Sequence, residues 1–328
     1  MKDTDFTYSV AYMRTMENGM LGQGDIDTLL TLSNVGDATK YLMDRNYGSG
    51  DKFDVEGKKE IDSLLKSELE KAWSEVRAVC PKGAPIDVLL YQNDFQNLKT
   101  ILKAVFENTA WEQLMLYPSI VEPEVIHQAV SENKYDDMPS LLRKPAEEAY
   151  EALAKLGDGQ KAEIILDKAC FKAMESIANK EKNQFLQAWV DLWAVLANMK
   201  TMIRSAHAGK DRAFIENAIL PMKQMDTEPM VEAAAQGISA VYDWMGSNGY
   251  QEAAEAAQRS ISEFEKWSDN RLMEFIQSVK NNTFGFEPLL AFLFGKKAEI
   301  QSVRIVLYGL LNHIPKETIK ERLRDMYV

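Results

Sequence analysis

Apolar residues recur along this chain at intervals of three and four, the period of one face of an α-helix. Phe6, Val10 and Met13 open the pattern, with Thr4 or Asp5 as the expected N-cap. Asp25 to Leu32 reads as a short helix. Asn34 is placed to cap a second one, which Tyr47 and Gly48 end, the glycine supplying a left-handed residue. Ile61, Leu65, Leu69, Trp73 and Val76 make one stripe of a helix expected from Asp54 to Val79, and Pro81 to Pro85 stops it. Further helices are expected from Ile86 to about Glu107 and from Phe185 to His207. No segment alternates apolar and polar residues between turn signals as a strand would. The expected class is therefore all-α, with roughly two-thirds or more of the residues helical, well above the usual third.

One helical segment recurs. Asn97-Leu98-Lys99-Thr100-Ile101-Leu102-Lys103-Ala104 resembles Asn198-Met199-Lys200-Thr201-Met202-Ile203-Arg204-Ser205, and a weaker copy starts at Ser302-Val303-Arg304. The starts lie 101 and 104 residues apart. In each copy the apolar positions fall on one helix face, and a cation (Lys99, Lys200, Arg304) follows two residues after the start. Lys103 and Arg204 stand one turn further on. Asp25 to Gly50, Glu124 to Lys144 and Glu228 to Gln251 match less well but in the same order, and each reads as two short helices leading into a longer one. Three units are expected, 1–110, 111–212 and 213–328, set about a pseudo-threefold axis or in a curved row. Leu98, Met199 and Val303 should then be equivalent in the core, as should Leu102, Ile203 and Leu307.

Composition narrows the function. The chain has 328 residues, 38 basic and 50 acidic, for a net charge of -12. That balance argues against nucleic acid as a partner and against docking on anionic lipid. The longest stretch free of Asp, Glu, Lys and Arg, Ile305 to Pro315, has 11 residues, against about 20 for a membrane helix. No membrane span is expected, nor a secretory signal at the acidic start. Cys80 and Cys170 read as reduced thiols.

The usual motifs of catalysis are incomplete. Gly22-Gln23-Gly24, Gly48-Ser49-Gly50 and Gly157-Asp158-Gly159 begin like phosphate loops, but none continues as one. Gly295-Lys296-Lys297 lacks the upstream glycine and the hydroxyl. Glu124 and His127 share a helix face, yet a di-metal site needs a second such pair. Asp136-Asp137 begins an aspartate-rich motif that Pro139 and Ser140 break off. No nucleophile elbow occurs. Trp189 and Trp193, one turn apart, read as core. No catalytic residue, cofactor or metal is expected.

The repeat segments also carry a family likeness. Tyr8-x-x-Ala11-x-x-Arg14-x-x-Glu17 resembles the opening of the C subunit of A/V-type rotary ATPases, known in eukaryotes as the d subunit. Tyr47-Gly48, Asp94-x-x-Asn97-Leu98-Lys99 and Asn198-Met199-Lys200 look like further family elements. So do Glu287 to Leu293, Lys297 to Ile300, Val303 to Ile305 and the terminal Tyr327-Val328. Tyr12 and Ser302 depart from the pattern, which has a basic residue and an asparagine there. The resemblance implies a funnel of three helical units on the cytoplasmic face of a membrane. It implies a non-catalytic peripheral part linking the central-stalk subunits D and F to the ring of proteolipid subunits and passing torque between them. On that geometry Lys99, Lys103, Lys200, Arg204 and Arg304 are candidate contacts with acidic partners, and Arg14 and Glu17 an ion pair within the first helix. The alternative is an α-solenoid adaptor with no rotary role, whose repeats would be 33 to 47 residues long.

Overall fold

The computed structural model describes residues 2–48 and 57–328. It is 75% helical, and no strand occurs among the described residues. The α-helices in chain order are α1 (Thr7–Glu17), α2 (Gln23–Thr31), α3 (Val35–Asp44), α4 (Lys58–Val79), α5 (Tyr91–Glu107), α6 (Pro123–Glu132), α7 (Ser140–Leu156) and α8 (Gly159–Glu181). They continue as α9 (Gln184–His207), α10 (Arg212–Ala218), α11 (Glu228–Gln236), α12 (Ile238–Ser247), α13 (Gln251–Arg259), α14 (Ile261–Gln277), α15 (Glu287–Leu311) and α16 (Lys316–Glu321).

Local chemistry explains most boundaries. Asn34 caps α3 as expected, its side chain accepting from the Asp37 N–H at 2.9 Å. The residue that turns the chain after α3 is Asn46, left-handed at φ 58°, so that Tyr47 can donate to the Leu42 carbonyl. Gly48 is left-handed too, but it lies beyond the cap and serves another purpose, described below. Helical turning begins before Thr4. A 3-10 turn from Asp3 to Phe6 precedes α1, and Asp5 accepts the Lys2 N–H at 2.9 Å. The expected start of α4 at Asp54 lies outside the described residues; α4 is seen from Lys58. Pro85 to Leu90 forms a 3-10 turn, so the regular α-helix expected from Ile86 begins only at Tyr91.

The chain divides into two compact units, each with its own core. Unit 1 joins residues 1–86 to residues 265–328, and unit 2 is the continuous stretch 87–264. In unit 1 the long helix α15 packs on α2, α3 and α4 and on α1. Its core runs from Leu21, Ile26, Leu29 and Leu42 through Ile61, Leu64 and Leu65 to Val303, Val306 and Leu307. In unit 2, α5 packs on α6, α7 and α8; α9 packs on α8 and on α10, α11 and α12. Each helix of the repeat thus rests on a set of neighbouring helices. For α5 and α9 that set follows in the chain. For α15 it lies at the other end, in α2 to α4. The boundary expected at 110 separates α5 from α6 to α8, and the one at 212 separates α9 from α11 and α12.

The repeat positions are buried alike. Leu98, Met199 and Val303 are fully buried, and so are Leu102, Ile203 and Leu307. Two glycines make room on α15. A Cβ on Gly295 would lie 2.5 Å from the Tyr327 Cγ, and one on Gly309 would collide with Ile319 of α16. The Gly295-Lys296-Lys297 step is therefore the interior of a helix on which the chain's end packs.

Candidate functional site

The feature common to the three long helices is a polar side chain that straps a backbone segment to the helix. On α5, Asn97 is buried and grips Leu116 twice: Nδ2 donates to its carbonyl at 2.9 Å, and Oδ1 accepts its N–H at 2.7 Å. On α9, Asn198 grips Leu220 in the same way, at 2.9 and 2.7 Å. In each case the segment leads into a short helix of the set, α6 or α11. At the third position Ser302 is too short for the task, and its buried hydroxyl has no hydrogen-bond partner among the described residues.

On α15 the strap sits one turn earlier. Glu299 accepts the Leu21 N–H at 2.7 Å, holding the segment that leads into α2. The matching residue on α5 is Asp94, also three positions before the repeat start. Its Oδ1 accepts the N–H groups of Ile120 and Val121 at 2.9 and 3.2 Å. Burial raises the Asp94 carboxyl to about 6 against the pull of these two N–H groups, and its Oδ2 has no donor among the described residues. The recurrence of an acid three residues before Asn97 and before Ser302 is the sequence signal for this second strap.

Glu299 belongs to a buried ionic cluster inside unit 1. Lys296 Nζ lies 2.8 Å from Glu299 Oε1 and 2.8 Å from Glu68 Oε1 on α4. The other oxygen of Glu68 accepts the Gly48 N–H at 2.7 Å. Lys71 stands 3.6 Å from the same oxygen, and the Tyr47 ring faces Lys296 at 5.7 Å. Two carboxylates thus share one buried ammonium while each holds a backbone N–H. Burial pushes Glu299 up to about 7, although Lys296 pulls it down. Burial also pulls on Lys296, but Glu299 and Glu68 outweigh it and its pKa is raised.

The predicted cations divide by their partners. Lys99 pairs with Asp167 of α8. Arg304 pairs with Asp62 of α4 at 2.8 Å, and Tyr308 donates to the same carboxylate at 2.9 Å. These two pairs are alike: each ties a long helix to the last and longest helix of its set. Lys99 is mostly covered, at 19% side-chain exposure, whereas Arg304 keeps 48%. Lys103 is exposed and lies 3.9 Å from Glu107, one turn on. Lys200 is half-buried and Arg204 exposed on α9.

Arg14 and Glu17 form the expected pair, with Arg14 Nη1 2.7 Å from Glu17 Oε2. The pair does more than brace α1. Tyr327 donates to Glu17 Oε1 at 2.9 Å, and Arg14 donates to the Asn282 carbonyl at 2.9 Å. The opening motif and the terminal tyrosine meet in one contact. The isolated motifs are occupied by structure: His127 stacks on Trp111 at 4.8 Å, and Asp136 lies 3.8 Å from Arg143. No group of three or more His, Cys, Asp or Glu side chains placed to hold a metal occurs among the described residues.

The described chain repeats one strapped helix, and no described helix is long and apolar enough to cross a membrane. The ATP synthase (C/AC39) subunit family model matches residues 9–322, and the chain belongs to that family. It is 22% identical over 278 residues to the C subunit of the V-type sodium ATPase of Enterococcus hirae, covering 82% of this chain and 83% of that one. It is 22% identical to the C subunit of the A-type ATP synthase of Archaeoglobus fulgidus, covering 97% and 96%. To the C subunit of the V-type ATP synthase of Thermus thermophilus it is 24% identical, covering 62% and 64%. The strapped helices and the buried cluster are thus features of a C-type subunit of the V/A-type ATP synthases.

Proposed function

We propose that this chain is the non-catalytic coupling piece of its ATPase. It links the central-stalk subunits D and F to the ring of membrane proteolipid subunits and passes torque between ATP chemistry and ion movement. It sits on the cytoplasmic face as a peripheral part, held by its partners and without a membrane span of its own. The observation that carries this reading is the match to the family over residues 9–322, which takes in all three long helices. The packing within each unit supports three modules with revised borders: α5 with α6–α8, α9 with α10–α12, and α15 with α2–α4. Such a body can mediate between one stalk and a many-fold ring.

Lys99, Lys103, Lys200, Arg204 and Arg304 are the proposed contacts with acidic surfaces of stalk or ring. Arg304 keeps half of its surface while pairing with Asp62, so one guanidinium can serve both. The ion carried is chosen in the ring and not by this chain.

Reconstitution tests the role. A complex assembled without the chain should still hydrolyse ATP but should lose ATP-driven ion transport into vesicles, and adding the chain back should restore it. Coupled transport in the absence of the chain would rule the role out.

A further inference from the structure

The strapped segments of the three modules occupy matching places but present different surfaces. Before α2 the segment is short, and Met20 and Leu21 are buried. Before α11, Ile219 and Leu220 are buried and the positions that follow include Lys223, Gln224 and Asp226. Before α6 it is long and turns apolar side chains outward. Leu114 is 61% exposed, Leu116 42% and Ile120 41%, while the neighbouring Met115 and Val121 are buried.

This display is held from beneath. Asn93 donates to the Pro118 carbonyl at 2.8 Å, Asn97 grips Leu116 at both backbone groups, and Asp94 accepts from Ile120 and Val121. Three side chains of α5 fix the backbone, so the outward leucines and isoleucine are already ordered. Ordering of a loop is a cost that association normally has to meet, and here it is met in advance. Three exposed apolar side chains within seven residues of a fixed backbone offer an interaction site.

Charge selects the occupant. From Ala104 to Asn133 the chain has no lysine or arginine, and it carries Glu107, Glu112, Glu122, Glu124 and Glu132. An anionic lipid surface is repelled by such an acidic stretch. A second copy meeting it across a twofold axis would set the same carboxylates against each other. A basic partner is attracted. Since one module alone carries the display, the partner engages the chain at one place and not at three equivalent ones.

We infer that Leu114, Leu116 and Ile120 form a docking surface for a cationic amphipathic segment of another protein, apolar on one face and rich in lysine or arginine around it. This surface is independent of the coupling role, which concerns the stalk and the ring.

The test uses the full chain and model peptides of about 15 residues, long enough to hold a helix in contact with a surface. One peptide is built from leucine and lysine, the other from leucine and glutamate in the same pattern. Fluorescence anisotropy at physiological salt should show binding of the leucine–lysine peptide and not of its acidic counterpart. The triple variant Leu114→Ser, Leu116→Ser, Ile120→Ser keeps every charge and replaces only exposed side chains. It should keep the circular dichroism spectrum and weaken binding about tenfold or more. Equal binding of both peptides overturns the inference, as does undiminished binding by the triple variant. Binding of the wild type to phosphatidylglycerol vesicles that the triple variant loses would assign the surface to lipid instead. A dimer seen by ultracentrifugation that the triple variant abolishes would assign it to a second copy.

Discussion

Asn97 and Asn198 make the same pair of hydrogen bonds in different surroundings, which separates their energetic weight. Leu220 is buried, so removing Asn198 leaves an N–H and a carbonyl without water. Leu116 is partly exposed, so water can replace part of what Asn97 supplies. Asn198→Ala should cost about 2–3 kcal/mol and Asn97→Ala nearer ~1 kcal/mol, measured by urea unfolding; the reverse order would contradict the accounting. Glu299 adds a dependence on pH. Its carboxyl titrates near 4.5 in the unfolded chain and at about 7 when folded. A folded-state pKa above the unfolded one means that the folded protein holds the proton more tightly. The stabilisation is therefore fully present below about 4.5 and is lost as pH rises through 7. Lys296 lies against the group and also against Glu68, which Lys71 approaches from its other oxygen, while the Tyr47 ring faces Lys296; Lys296 is cationic throughout this range. Glu299→Gln should remove that component, so its stability relative to wild type should rise between pH 5 and pH 8. Parallel profiles for the two proteins would show that Glu299 does not titrate there.

At the scale of elements, α15 is shaped by what leans on it. Gly295 lets the Tyr327 ring lie directly against the helix backbone, and that ring also carries the bond to Glu17. Gly295→Ala places a Cβ against the root of the ring, which cannot swing away without breaking the contact with α1. The cost should be about 1–3 kcal/mol, typical of overpacking, and Tyr327→Ala in the same chain should relieve much of it. A variant as stable as wild type would mean that the terminus shifts freely. The helices themselves are legible in the sequence because the stripes of Ile61 to Val76 and Leu98 to Leu102 have an unbroken period. The end of α3 is harder to read, since Gly48 is the stronger left-handed signal and Asn46, which adopts the same form, makes the turn. The repeat is legible through Asn97, Asn198 and their cations. What it conceals is their use: Lys99 and Arg304 face Asp167 and Asp62, residues 68 and 242 positions away. Contacts of that kind leave no periodic trace.

For the whole molecule, the least legible fact is which helices each copy of the repeat packs upon. Repeat spacing locates copies of a helix but does not say whether each copy packs forward or backward along the chain, so borders at 110 and 212 are consistent with the same pattern. The straps carry that information, because Glu299 reaches Leu21, 278 positions earlier. Hydrogen exchange should reflect the division into two units. Gly295→Ala should loosen amides in α1 to α4 and in α15, all in unit 1, and leave α6 and α11 in unit 2 as they were. Uniform loosening would show that the two units open together.

The pairing of α15 with α2 to α4 has a consequence for how the protein is made. Some 207 residues separate the end of α4 from the start of α15. At about 5–20 residues per second, the ribosome needs roughly 10–40 s to supply them. During that interval the nascent chain holds Leu29, Leu42, Ile61 and Leu65 without the helix that covers them, while unit 2, being continuous, can close as it emerges. The α2 to α4 segment, made before unit 2, thus finishes folding after it, and it is the part of the newborn chain most in need of a chaperone.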